Sequence, residues 1–89
     1  MMLARKSATE KVASFLMVLL ERIGVNEGGL SMIELKMKRA DIADFLGLTI
    51  ETVSRTFTQL RNSGIISLQS AQSVVVLDAD SLAEVSEAA

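Results

Sequence analysis

The spacing of hydrophobic residues changes several times along the chain, and each change marks an element. From Ala8 to Ile23, the residues Val12, Phe15, Leu16, Leu19, Leu20 and Ile23 recur at helical spacing and form one apolar stripe. Ser7 and Glu10 fit a Ser-x-x-Glu capping box at its start, and Gly24 ends it. "GVNEGG" reads as a loop. In "MIELKMK" the period drops to two: Ile33, Leu35 and Met37 face one way, and Glu34, Lys36 and Lys38 the other, as in a half-buried strand. Asp41 to Leu46 reads as a short helix stopped by Gly47. A longer helix runs from Ile50 to about Asn62, with Thr49 as its cap and Gly64 as its terminator. Two short apolar runs, "IISL" and "VVVL", joined by polar "QSAQS", predict a hairpin with a loose loop. "DADSLAEVSEA" closes the chain as a short helix with an acidic start. The order of elements predicts an α+β fold with a small antiparallel sheet, in one domain spanning residues 1–89.

The helix from Ile50 to Asn62 is the most informative element. Wound at about 100° per residue, it gathers Ile50, Val53, Phe57 and Leu60 on an inward side. Glu51, Arg55, Thr58 and Asn62 lie nearly opposite, with Ser54 beside them. Upstream, Ala43 is small where two helices must cross closely. Gly47 sits in the turn, where a positive φ is often required. Ile42, Leu46, Leu48 and Val53 supply an interlocking core. This pattern fits a helix-turn-helix, whose second helix enters the major groove by its N-terminal residues. In that pose Glu51 and Arg55 lie nearest the base edges. Arg donates two bonds to guanine O6 and N7, and a carboxylate accepts from cytosine N4. Thr49, Thr52 and the first backbone N–H groups would meet phosphates. Glu51 and Arg55 are equally an ordinary i, i+4 ion pair on a solvated helix, worth a few tenths of a kcal/mol.

Composition narrows the function classes. The 89 residues contain no Cys and no His. The usual zinc ligands, the thiolate nucleophile and the commonest general base are therefore missing, so no enzyme, metal site or cofactor is expected. The lack of Cys agrees with a cytoplasmic setting. Arg5, Lys6 and Lys11 precede the apolar "FLMVLL", but Glu10 interrupts the basic region and no A-x-A site follows. The run is also shorter than the roughly 18 residues a membrane span needs. The formal net charge is −2, but it is unevenly spread. Residues 1–61 hold all nine Lys and Arg against seven acids, whereas residues 62–89 hold four acids and no base. The acidity belongs to the tail, and the suspected reading region is mildly basic.

"RADIADFLGLTIETVSRTFTQLRNSGII" resembles the C-terminal winged helix of the CRP/FNR transcription regulators, and is most similar to the FNR and FixK branch. The similarity in element order runs from about Leu3 to Leu82. It implies a winged helix-turn-helix, with the motif at about 39–63 and the wing at about 65–77. The "ETVSR" signature carries the branch's base-reading positions to Glu51, Ser54 and Arg55, with Ile50 beside them, and implies a TTGA-type half-site in duplex DNA. Lys38, Arg39, Ile50, Thr49, Thr52, Thr58, Gln72 and Ser73 are then the expected phosphate or flanking contacts.

The chain departs from that family in three ways. Lys38 occupies the helix N-cap where Ser or Thr is usual, and Lys accepts no bond from the orphan N–H groups. The wing loop "QSAQS" has no Lys or Arg. The family's sensor barrel and long dimerising helix have no counterpart here. The resemblance thus implies the reading head of a longer homodimeric regulator, with RNA polymerase as a further partner and this segment itself monomeric. A winged helix used for protein–protein contact is the alternative, favoured by the acidic chain and neutral wing.

Other motifs have plainer readings. "NEGG" is followed by no G-K-[ST], which leaves a turn rather than a phosphate loop. Asp78 and Asp80 are too few to ligate calcium and read as helix-start acids. The Met residues are core filler. The stripe from Val12 to Ile23 is core, or else contact for a dimerising helix.

Overall fold

The computed structural model describes residues 6–87; Arg5, and the start of the family resemblance at Leu3, lie outside them. The order of elements is α1 (Ala8–Ile23), β1 (Val25–Glu27), β2 (Leu30–Glu34), α2 (Arg39–Leu46), α3 (Ile50–Asn62), β3 (Ile66–Leu68), β4 (Ser73–Val76) and α4 (Ala79–Glu87). This is the α+β winged helix-turn-helix that the sequence predicts. The strands form one antiparallel sheet in the order β1-β2-β4-β3.

Helix α1 starts on the expected capping box. The Glu10 N–H donates to Ser7 Oγ at 3.2 Å, and the Ser7 N–H donates to Glu10 Oε1 at 2.8 Å. The Ser7 N–H first, and the Ser7 side chain after it, hold the Glu10 carboxyl below its ordinary pKa. Val12, Phe15 and Leu16 are buried, but Ile23 at the end of the stripe is exposed. Helix α4 starts on Asp78, whose carboxylate accepts from the Ser81 N–H at 3.0 Å and the Ser81 hydroxyl at 2.7 Å. These bonds, the backbone one first, hold the Asp78 carboxyl low as well.

Two strand expectations change. "GVNEGG" is not simply a loop: Val25, Asn26 and Glu27 pair with Met32, Ser31 and Leu30. Gly28 and Gly29, with φ of 59° and 85°, make the two-residue turn. The second change is that β2 ends at Glu34. The burial alternation continues beyond it, with Leu35 buried, Met37 half-buried, and Lys36 and Lys38 exposed. The Leu35 N–H leaves the sheet register but still donates to the Gln72 carbonyl at 2.6 Å, tying this segment to the loop between β3 and β4.

One core joins the four helices to the sheet. Val12 and Leu16 of α1, Ile33 of β2, Ile42 and Leu46 of α2, Val53, Phe57 and Leu60 of α3, Val74 and Val76 of β4, and Leu82 of α4 belong to one buried cluster. Three polar residues, Ser14, Thr56 and Ser86, are buried with it. Each makes a hydrogen bond, so burial leaves no orphaned side-chain polar atom among the described residues. Ser14 and the Ser86 carbonyl meet at 3.2 Å, and the Lys6 ammonium donates to both.

Candidate nucleic-acid interface

Helices α2 and α3 meet at Gly47, which adopts φ 70° and ψ 35°. That left-handed conformation strains any residue with a Cβ. The Leu48 N–H returns to the Ala43 carbonyl at 2.8 Å and closes the end of α2. Ala43 is 2% exposed at the helix crossing. A further support comes from α1: the Lys11 ammonium donates to the Leu46 carbonyl at 3.2 Å, a cation on the negative end of α2. No local pattern in the sequence announces that bond, because its partners are 35 positions apart.

The Thr49 side chain caps α3. Its Oγ1 accepts from the Thr52 N–H at 3.1 Å and donates to Thr52 Oγ1 at 2.8 Å. Val53, Phe57 and Leu60 point inward as expected, joined by Thr56, whose hydroxyl donates to the Thr52 carbonyl at 2.8 Å. Ile50 does not point inward. It is 54% exposed, because the first residue of α3 lies beyond the helices that cover the rest of the stripe. It sits instead beside the outward face as a flanking position.

Glu51, Ser54, Arg55 and Thr58 are all exposed on one face of α3. Glu51 and Arg55 form the i, i+4 ion pair, with side chains 79% and 68% exposed. At that exposure the pair contributes only about 0.3–0.5 kcal/mol, so a base edge can compete for either partner. The Thr58 hydroxyl donates to the Ser54 carbonyl at 3.1 Å, which occupies its proton.

The remaining expected contacts divide into two groups. Lys38 and Arg39 stand at the start of α2. The Lys38 ammonium accepts nothing, and only the reciprocal half of a capping box forms, with the Lys38 N–H donating to Asp41 Oδ2 at 3.4 Å. Arg39 is half-buried, with its guanidinium 4.1 Å from the centre of the Phe57 ring. Burial holds it below the ordinary arginine pKa, though it remains charged at neutral pH. Gln72 and Ser73 form the other group, in and beside the β3–β4 loop. Gln72 is exposed, and its backbone is engaged with Leu35 and Ser70. Ser73 is half-buried and paired with Glu34 within the sheet. Among the described residues no group of His, Cys, Asp or Glu could hold a metal ion, and no helix is long and apolar enough to cross a membrane.

The Crp-like helix-turn-helix domain family matches residues 10–85. The chain belongs to that family. This Crp-like domain is 51% identical over 83 residues to the nitrogen fixation regulation protein FixK of Azorhizobium caulinodans, covering 92% of this chain and 34% of the relative. It is 38% identical over 82 residues to the transcriptional activator protein FnrL of Cereibacter sphaeroides, covering 88% of this chain and 33% of that protein. The chain thus spans about a third of the length of these relatives. Among solved structures it superposes on FixK2 from Bradyrhizobium japonicum with a TM-score of 0.85 and 41% identity, over 98% of this chain and 42% of that one. A mutant of CooA from Carboxydothermus hydrogenoformans gives a TM-score of 0.88 at 26% identity, over 93% and 38% of the two chains.

Proposed function

We propose that this Crp-like domain is the sequence-reading head of a transcription regulator. In this reading α3 lies in the major groove of a TTGA-type half-site in duplex DNA. The observation that carries it is the outward face of α3: Glu51, Ser54 and Arg55 stand together in solvent at the N-terminal end of a helix whose opposite side is locked into the core. Arg55 supplies the two donors that guanine presents acceptors for, and Glu51 accepts from cytosine. Ser54 discriminates the half-site beside them. Thr49, Thr52 and Ile50 flank the groove at the helix start, and Lys38, Arg39, Thr58, Gln72 and Ser73 position the domain on the backbone. FixK and FnrL support the reading by kinship, since both are named as regulators. In a longer protein, two such heads would sit on half-sites about one DNA turn apart, with RNA polymerase as the further partner. A single head binds one half-site weakly.

The test is a fluorescence-anisotropy titration with a TTGA palindrome and a scrambled duplex at two salt concentrations. The reading requires a preference for the palindrome and affinity that drops steeply with salt. Affinity indifferent to both sequence and salt would overturn it and favour a winged helix that contacts protein.

A further inference from the structure

Arg39 occupies an unfavourable position for a cation. It is the first residue of α2, where the helix dipole is positive and favours anions. It is half-buried, so its guanidinium has lost part of its hydration. The only ion pair among the described residues is that of Glu51 and Arg55, and the nearby Asp41 carboxylate is engaged by the Lys38 N–H. Arg39 lies instead over the face of Phe57. Phe57 in turn is 1% exposed and fixed by the core, so the shelf under the guanidinium cannot move. A partly dehydrated cation without a carboxylate, held in one place at a helix start, is suited to an anion from outside the protein.

From this we infer that Phe57 is a positioning residue for DNA binding: its ring pre-orients the Arg39 guanidinium as a phosphate ligand. The inference rests on the DNA-reading function above and adds a residue to it that touches no DNA. Arg39 surrenders its rotamer freedom on folding rather than on binding, which lowers the cost of the contact. The flat guanidinium matters as well as the charge. An ammonium stacks less well on a ring and cannot offer two parallel donors to a phosphate.

The test is a double-mutant cycle on duplex affinity, with thermal melting to confirm that each variant folds. Arg39→Lys and Phe57→Leu should each weaken binding to the TTGA palindrome roughly twofold to fivefold, with the salt slope unchanged. The double variant should bind no worse than the weaker single, because both changes remove the same pre-orientation. Arg39→Gln should flatten the salt slope by about one. Losses that multiply in the double variant would make Phe57 merely a core residue, and wild-type affinity in Arg39→Lys would overturn the inference outright. If Phe57→Leu unfolds, Arg39→Lys still decides, joined by the wild-type Arg39 δ-proton resonances, which the Phe57 ring must shift upfield of those of the exposed Arg61. Unshifted resonances would sink the stacking. The wild-type titration separates the two levels: a wild type with no sequence preference fails the DNA reading itself, whereas a wild type that reads DNA while the cycle shows no coupling fails only the role of Phe57.

Discussion

Helix α3 begins on Thr49, whose hydroxyl accepts the Thr52 N–H at 3.1 Å. Helix α2 begins on Lys38, whose ammonium can only donate, so the help it receives is the Asp41 carboxylate reaching back to the Lys38 N–H. Both residues have the same extended backbone, with φ and ψ of −85° and 157° at Thr49 and −77° and 164° at Lys38. The geometry of an N-cap is therefore present in both places, and only the side chain differs. At α3 the side chain closes the helix start and leaves the outward face free to read. At α2 it leaves donors open and adds a positive charge where the dipole is already positive. One start is built for the fold, and the other tolerates a local cost that an external anion would offset.

The largest effect should come from the outward face that the capped helix presents. Arg55→Ala should cost about 1–3 kcal/mol on a TTGA palindrome and much less on a scrambled duplex. Equal losses in the two titrations would reduce Arg55 to a phosphate contact. Next, Thr49→Ala should destabilise the domain by about 1 kcal/mol in chemical denaturation, whereas Lys38→Ala should leave stability nearly unchanged. Similar costs for the two would erase the contrast between the helix starts.

A smaller effect of opposite sign is expected from Lys38→Ser. It supplies the missing acceptor and should stabilise the domain by roughly 0.5–1 kcal/mol. The same change should flatten the salt slope of duplex binding by about one, the signature of the phosphate contact proposed for Lys38. Melting without any gain would show that the α2 start has no unmet need.

The smallest effect separates the hydroxyl cap from the carboxylate caps. Glu10 and Asp78 have lowered pKa values in the folded chain. Their contribution is therefore fully present above the unfolded carboxylate range and is lost as the pH falls through the lowered folded values. The melting temperature should decline across that acid window, and Glu10→Gln with Asp78→Asn should shrink the decline. The cost of Thr49→Ala should be the same on either side of it. A decline that persists undiminished in the double variant would place the acid sensitivity elsewhere.

These contrasts also explain how far the sequence could be read. Helices α1 and α3 were legible to the residue because their starts are marked by side chains that bond within three positions, Ser7 with Glu10 and Thr49 with Thr52. Helix α2 has no hydroxyl at its cap to mark it, and it begins at Arg39, where the family resemblance puts it, rather than at Asp41, where the pattern of residues does. Strand β1 was missed because Val25, Asn26 and Glu27 are all exposed, which erases the alternation that reveals a strand; the paired glycines after Glu27 were the available signal. Ile50 keeps the helical period but stands past the edge of the core, and periodicity alone carries no information on where the covering helices stop. At the interface, the outward positions of α3 follow from its wheel. The stack of Arg39 on Phe57 joins residues from two helices, and no spacing in the chain encodes it.

The contact between Lys6 and Ser86 joins residues 80 positions apart. Helix α4 rests on α1, which is synthesised well before it, and contributes the fully buried Leu82 to the core. On the ribosome, the α1 surface reserved for α4 therefore stays uncovered until the residues between the two helices have emerged. At about 5–20 residues per second this leaves an unfinished core for several seconds. The nascent domain closes its core only when α4 arrives, so a chain that stalls before Leu82 should expose the α1 face that α4 covers.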